Sequence, residues 1–214
     1  MASETSLQRL ALALALSLVL LIVTSLIPRP VLAASLPETT ALPDFTSFVT
    51  SVENGQSNTL RGVYVDGVFA LPVVQQPPTD ALYVSKVVDT LTQFSLAARY
   101  GNIGLLAHNY LSGQYFSQLT LGERVFLVYG RGQVETMQIT KVYRYQATDP
   151  NSSTSDFIDL DTHQHLTDYQ LFSKVYLGTE HVTFQTCIEQ DGNLSWGRLF
   201  VIAEPDASQA SPTH

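Results

Sequence analysis

Three side chains of the sequence, His108, Cys187 and Arg198, have the chemistry that a thiol-dependent acyl transfer needs. A thiolate is a nucleophile, an imidazole can give a proton to a leaving amine, and a guanidinium is a fixed donor for a developing oxyanion. Cys187 is the one cysteine among 214 residues. The count excludes an intramolecular disulfide, a zinc knuckle and a CxxC redox pair, and leaves the thiol as either a small hydrophobic filler or a reactive group.

Each of the three side chains lies at the end of a predicted strand. His108 closes the apolar run 103–107, and Arg198 opens the apolar run 199–203. In the segment 182–187, strand alternation places Cys187 on the more polar face with Thr183 and Gln185, opposite Val182, Phe184 and Thr186. The strands must therefore position these groups, and a fold that brings the strand ends together would make one site.

Composition narrows the classes of protein further. Lys and Arg number 11 against 19 Asp and Glu, for a net charge of -8, which excludes nucleic-acid binding by bulk charge. Charged residues make up 14% of the chain, below the roughly 25% of soluble domains. Part of this deficit is local, because residues 10–27 carry no charge.

The N-terminal segment 1–33 predicts export. The apolar run 10–27 follows Arg9 and ends at Pro28-Arg29-Pro30, and Val31-Leu32-Ala33 offers a signal-peptidase site before Ala34. The run is also long enough to serve as a membrane anchor, since about 20 apolar residues span a bilayer. We favour cleavage, and either alternative places the remainder of the chain outside the cytoplasm.

The rest of the chain divides into three parts. Residues 34–60 are rich in Ser, Thr, Pro, Asn and Gly and predict a flexible tether; residues 61–205 predict one domain; residues 206–214 predict a disordered tail. Within the domain, Asp66-Gly67 between two apolar runs predicts a β-hairpin. A helix is predicted from Thr79 or Asp80 to a stop at Gly101.

Beyond that helix, strand-like segments recur. They are residues 103–108, 124–129, 134–145, 157–160, 181–187 and 198–203. Repeated short strands with turn signals favour a mainly β fold, a closed or nearly closed barrel with one or two short helices, preceded by the N-terminal apolar helix.

The residues around Cys187 resemble the signature of the sortases, cysteine transpeptidases of bacterial cell surfaces. The family motif TLxTC is matched by Thr183-Phe184-Gln185-Thr186-Cys187, with Phe in place of Leu, and Arg198 opens an apolar strand 11 positions later. His108 follows Ala107 where the family usually has glycine. The resemblance covers residues 61–205, in the family order of histidine, cysteine and arginine.

The resemblance implies a sortase-like β-barrel and a mechanism. Cys187 would attack a backbone carbonyl in the sorting motif of an exported protein, and an amine of the cell envelope or of another protein would resolve the thioacyl intermediate. His108 would protonate the departing amine, and Arg198 would hold the substrate or stabilise the oxyanion. Thr186 would contact the substrate or oxyanion through its hydroxyl or backbone. Specificity would come from loops 109–122 and 188–197.

No cofactor or metal is expected. The run 156–161 with His163 and His165 could suggest a metal site, but its alternation favours a strand with aspartates outward and matches no calcium loop. Two other functions stay open, a thiol endopeptidase that uses water and a non-catalytic sortase-like binding module. An L,D-transpeptidase fits poorly, because Cys187 does not follow the histidine-glycine pair that those enzymes have.

Overall fold

The computed structural model describes residues 42–152 and 154–206. The predicted export segment 1–33, the first part of the tether and residues 207–214 lie outside the described residues. Within the described part, no helix is both long enough and apolar enough to cross a membrane.

The described residues form mainly β structure. The strands, in chain order, are β1 Leu60–Val65, β2 Phe69–Gln75, β3 Leu91–Phe94, β4 Ile103–Leu106, β5 Arg124–Tyr129, β6 Val134–Ala147, β7 Phe157–Asp159, β8 His165–Leu166, β9 Val182–Gln190 and β10 Asn193–Pro205. The helices are α1 Phe45–Val52, α2 Ser95–Ala98 and α3 Asp168–Tyr176, with a 3₁₀ helix at Ser112–Gln118.

Eight of the strands close into a barrel. The sheet runs in the order β10-β9-β4-β3-β2-β1-β5-β6, and pairing between β10 and β6 closes the ring. Strands β7 and β8 extend the sheet from β6. The predicted mainly β closed barrel is therefore confirmed. So is the hairpin at Asp66-Gly67, where Val65 pairs with Phe69 and Gly67 takes a positive φ of 71°.

Alternation along the strands decides which side chains fill the barrel. On β9, Val182 and Phe184 are fully buried in the main core, together with apolar side chains from the other barrel strands. Phe184 packs edge-on against Phe116 of the 3₁₀ helix at 5.2 Å and Phe69 of β2 at 6.2 Å. Burying each such side chain contributes about 1.5–3 kcal/mol. Gln185 and Cys187 therefore point away from the barrel interior.

Helix α1 lies within the segment 34–60 that was predicted to be a flexible tether, so residues Phe45–Val52 differ from that prediction. Asp44 caps the helix by accepting from the Ser47 backbone N–H, and Phe48 and Val52 are buried. A Cβ at Gly62 would lie 2.7 Å from the Phe48 ring, so the glycine lets the helix approach β1 closely. The sequence contains these apolar residues at helical spacing, and their packing on the barrel orders a segment that composition alone predicts to be flexible.

The long helix predicted from Thr79 or Asp80 to Gly101 is wrong. Short turns at 81–82 and 88–89 and irregular chain between them occupy its first half, β3 follows, and only Ser95–Ala98 are helical. Leu91 is fully buried because β3 pairs with β2 on one side and β4 on the other. Asp89 has a positive φ of 52°, which interrupts a right-handed helix. Strand pairing within the barrel overrides the local helical pattern.

Helix α3 was not predicted from the sequence. Thr167 caps it and forms a capping box with Gln170, in which each side chain bonds to the other residue's backbone N–H. Leu171, Val175 and Tyr176 are its buried residues. These contacts hold α3 against the outer face of the barrel.

The expectation that the aspartates of 156–161 point outward is wrong for Asp159. The residue is 4% exposed, and its carboxylate accepts the backbone N–H groups of Asp161 and Thr162, both at 2.9 Å. Lys174 of α3 lies 3.6 Å away. Asp159 therefore ties the turn after β7 to α3.

Acidification is expected to weaken the fold in part through Asp159. Burial acts to raise the pKa of this carboxyl, but the N–H donors of Thr162 and Asp161 and the charge of Lys174 outweigh it and hold the pKa below its ordinary value. The contribution is complete above the unfolded-state pKa and is lost as pH falls through the folded-state pKa. Asp159→Asn should cost about 2 kcal/mol at neutral pH and flatten the acid dependence of the unfolding free energy, measured by urea denaturation. Asp161→Asn, at the exposed Arg144 pair, is the control; parallel acid profiles for Asp159→Asn and the wild type would contradict this role.

Candidate active site

The sheet register places Cys187 and Arg198 opposite one another. They are Cα partners in the antiparallel pair of β9 and β10, so their side chains leave the same face of the sheet. Cys187 is a free, partly exposed cysteine. On the other side of Arg198, its partner on β6 is Tyr145, which is fully buried. Arg198 on β10 thus lies between Cys187 on β9 and the buried Tyr145 on β6.

A bulge in β10 holds the guanidinium. The pairing of β9 with β10 shifts between Asn193 and Gly197. Nη1 of Arg198 donates to the carbonyl oxygens of Ser195 at 2.9 Å and Gly197 at 2.8 Å. In the described part of the chain, the other guanidinium N–H groups donate to no protein acceptor, which leaves them available to a substrate. Arg198 was predicted to open its strand, whereas β10 begins at Asn193 and includes the bulge.

His108 follows the strand that lies parallel to β9. Leu106 of β4 pairs with Gln185, and the Ala107 N–H donates to the Gln185 carbonyl at 3.3 Å, after which the chain leaves the ladder. His108 therefore lies just beyond the β4 end, beside the Cys187 end of β9. Its ring stacks on Tyr110 at 5.1 Å. Its Nε2 is buried and has no hydrogen-bond partner among the described residues.

The backbone around His108 is held closely. Its carbonyl accepts from the N–H groups of Leu111 and Gly113, both at 2.9 Å, and the side chain of Asn109 donates to the Leu194 carbonyl. A Cβ at Gly113 would lie 2.7 Å from the His108 carbonyl oxygen, so only glycine allows this approach. The loop that carries His108 is thus joined to the part of β10 that precedes Arg198.

Thr186 is placed differently from the sequence expectation. Its side chain is buried on the interior face, and its hydroxyl donates to the Ala107 carbonyl at 2.9 Å. The hydroxyl therefore faces the barrel interior and donates within the protein, and a substrate contact through the Thr186 backbone stays a prediction. Thr186 instead ties the strand of Cys187 to the residue before His108.

A groove of about 440 Å³ adjoins the pair of β9 and β10 on the outer face. Gln185 and Arg198 line it on the barrel side, and α2 and α3 supply the opposite wall. The aromatic side chains along it are Phe94, Tyr100, Phe157, Tyr169, Phe172, Tyr176 and Phe200. The loops 109–122 and 188–197 were expected to set specificity, and the structure adds α3, which supplies much of this wall.

Tyr176 and Gln185 are functional candidates that sequence reasoning missed. The Tyr176 hydroxyl donates to Oε1 of Gln185. Burial raises the pKa of Tyr176, so its hydroxyl keeps the proton that it donates. The Thr167-x-x-Gln170 capping signal ahead of Leu171 and Val175 could have revealed the helix that carries Tyr176.

The described residues contain no group of three or more His, Cys, Asp or Glu side chains placed to hold a metal ion. In the segment that suggested one, His165 lies 3.3 Å from Asp156, and Asp159 is occupied by backbone donors and Lys174.

Barrel and site together define a class of fold, a closed eight-stranded β-barrel that carries a cysteine and an arginine paired on its outer face. No protein-family model matches the sequence, and no curated protein does either. Solved structures that are similar to the chain include many sortases. They include sortase C-1 from Actinomyces oris, with 14% identity, a TM-score of 0.45 and coverage of 77% of this chain and 81% of that one.

Two further solved structures that are similar to the chain are also sortases. The sortase D5 transpeptidase of Clostridium perfringens has 14% identity and a TM-score of 0.43, with coverage of 76% of this chain and 86% of that one. Sortase A of Listeria monocytogenes has 12% identity and a TM-score of 0.42, with coverage of 69% and 86%. Likenesses of this size concern the fold and carry no argument about activity.

Proposed function

We propose that this protein is a sortase-type cysteine transpeptidase. One observation carries the proposal: Cys187 and Arg198 are direct cross-strand partners on one face, beside the strand end that precedes His108. The three groups supply a nucleophile, an oxyanion donor and a proton carrier, which are the parts that acyl transfer from an amide requires. Their sequence signature, TFQTC with a following arginine, supports the same assignment.

The reaction follows from these roles. The Cys187 sulfur, as thiolate, attacks the carbonyl carbon of the scissile amide, and the unengaged N–H groups of Arg198 donate to the oxyanion that forms. The C–N bond then breaks, His108 gives its proton to the departing amine, and the acyl group remains on Cys187 as a thioester. An incoming amine attacks the thioester, its proton passes to His108, and the C–S bond breaks to restore the thiolate.

The partners follow from the chemistry. The acyl donor is an exported protein or peptide with a sorting motif, and the acyl acceptor is an amine of the cell envelope or of another protein. The protein itself acts outside the cytoplasm at the bacterial cell surface, secreted or anchored through residues 1–33. The acidic composition gives no support for a nucleic-acid partner.

The endopeptidase alternative differs from this proposal in the fate of the acyl group. A pool of fluorescence-quenched peptides, degenerate over five positions, is incubated with the protein. The products are then separated by chromatography and identified by mass spectrometry. We expect glycine peptides added at millimolar concentration to divert most of the acyl product from the acid to the amide. Unchanged acid product at every amine concentration would assign the chain as a hydrolase instead.

The non-catalytic alternative predicts a different result from the same experiment. A binding module would retain peptides of the pool without cleaving them, with or without added amine. Cleavage that requires Cys187 excludes that alternative.

A further inference from the structure

Gln185 carries an amide donor without a protein partner, close to the proposed nucleophile. It lies two residues before Cys187 on β9, and both side chains leave the outer face of the barrel. Its Oε1 accepts from the Tyr176 hydroxyl, whereas its NH₂ group donates to no acceptor in the described ranges. Gln185 and Arg198 both line the outer groove. The groove thus has two donors on its barrel side, next to the thiol strand.

The orientation of this amide is set by a fixed aromatic cluster. Tyr176 is 3% exposed, and its ring packs against Phe94 and Phe172, both at 5.3 Å, and against Phe200 at 6.4 Å. A phenol held on three sides has little freedom to move its hydroxyl. Because that hydroxyl donates to Oε1, the NH₂ of Gln185 is the part of the amide left for a ligand.

The spacing along β9 matches that of an extended peptide. Residues two apart on a strand are separated by about 6.6–6.8 Å, and so are carbonyl groups two apart in an extended ligand. When a scissile carbonyl reaches Cys187, a carbonyl two residues away along the ligand comes within range of Gln185. The aromatic remainder of the groove takes a large apolar side chain, since it offers mainly ring surface.

We propose that Gln185 is a substrate-binding residue, which donates its NH₂ to a backbone carbonyl of the acyl-donor peptide two residues from the scissile bond. Tyr176 acts through Gln185 as a positioning residue. The ligand class is an extended peptide with a large apolar side chain seated among the groove aromatics. This inference rests on the proposed function, because it needs the scissile carbonyl at Cys187.

The test compares Gln185→Met with the wild type on the peptide that the wild type cleaves best from the degenerate pool. Methionine keeps the length of the side chain and removes the donor. We expect kcat/KM to fall about five- to tenfold, mainly through KM, because one neutral hydrogen bond is lost. Alkylation of Cys187 by iodoacetamide should stay unchanged, which separates the effect from damage to the thiol. Gln133→Met, on the exposed turn between β5 and β6, is the matched control.

A second variant, Tyr176→Phe, keeps Gln185 and removes only the hydroxyl that bonds to its Oε1. Tyr176→Phe should lower kcat/KM about threefold in the wild type and have no further effect in the Gln185→Met background, because both changes remove one interaction. Additive effects would assign Tyr176 a purely structural role and overturn its part of the proposal.

The outcomes separate this inference from the proposed function. A Gln185→Met enzyme within twofold of the wild type overturns the role of Gln185 and leaves the transpeptidase assignment standing. A wild type that cleaves no peptide of the pool overturns both. A loss in Gln185→Met with unchanged thiol alkylation, together with a silent Tyr176→Phe change in that background, supports the inference.

Discussion

Cys187→Ala is expected to abolish peptide cleavage, with kcat/KM reduced by at least about 10⁴-fold. No other thiol exists in the chain to take its place. Without the sulfur, no thioester can form, and the remaining donors can only bind the peptide. Cleavage of the best peptide from the degenerate pool, followed by chromatography of its fragments, measures the loss.

The same variant should fold normally. Cys187 is partly exposed and outside the core clusters, so its thermal midpoint is expected to stay within about 2 °C of the wild type. Cys187→Ser keeps the size of the side chain and should be equally inactive, because an unactivated hydroxyl is a far weaker nucleophile than a thiolate. Residual cleavage within tenfold of the wild type in either variant would contradict the role of Cys187.

Arg198→Lys is expected to lower kcat/KM by about 10²–10³-fold, the usual cost of losing one oxyanion donor. The guanidinium can donate through Nη1 to the Ser195 and Gly197 carbonyls and still present other N–H groups to a substrate. An ammonium has one donor atom, so it cannot both hold the bulge and reach the oxyanion with the same geometry. The rate of peptide cleavage measures this change.

Two comparisons isolate the effect of Arg198. Arg124→Lys, on the exposed start of β5 beside Phe126, should leave cleavage unchanged. Iodoacetamide should alkylate Cys187 in Arg198→Lys at a rate within about threefold of the wild type, since the reagent develops no oxyanion. A cleavage rate near that of the wild type would remove Arg198 from the mechanism.

Much of the barrel was accessible from sequence because its strands alternate clearly or are bounded by turn residues. The segment 124–129 is predicted and observed with the same limits, and the Asp66-Gly67 hairpin forms as predicted. Alternation also predicted which face of β9 carries Cys187. These features depend on local pattern, which a single sequence contains.

Several of the failures involve contacts that the local sequence pattern does not contain. Val87 and Val88, within the segment predicted as a long helix, are both exposed, whereas nearby Leu91 is buried by pairing with Val73. Asp159 was expected to point outward, but a backbone N–H group of the turn after β7 and the Lys174 side chain contact its carboxylate. Propensity is a weak guide where strand pairing and burial compete with it.

The residue types point to the candidate site, but the spatial arrangement of these residues depends on the fold. His108 is far from Cys187 and Arg198 in sequence, and the pairing of β4 with β9 brings its strand beside the β9–β10 pair that carries the other two. The sequence does not show that the Thr186 hydroxyl bonds to the Ala107 carbonyl, because that contact depends on the pairing of β4 with β9. The role proposed for Gln185 depends on its contact with Tyr176 of α3, a helix that was not predicted.

The central claim is that Cys187 carries the acyl group of a peptide during turnover. The measurement that tests it most directly is the intact mass of the protein after acid quenching of a reaction with the best peptide and no added amine, followed by peptide mapping. The account predicts a mass increase equal to the acyl fragment, located on the peptide that contains Cys187 and removed by hydroxylamine. Cleavage without any such adduct, or an adduct that persists in Cys187→Ala, would contradict it.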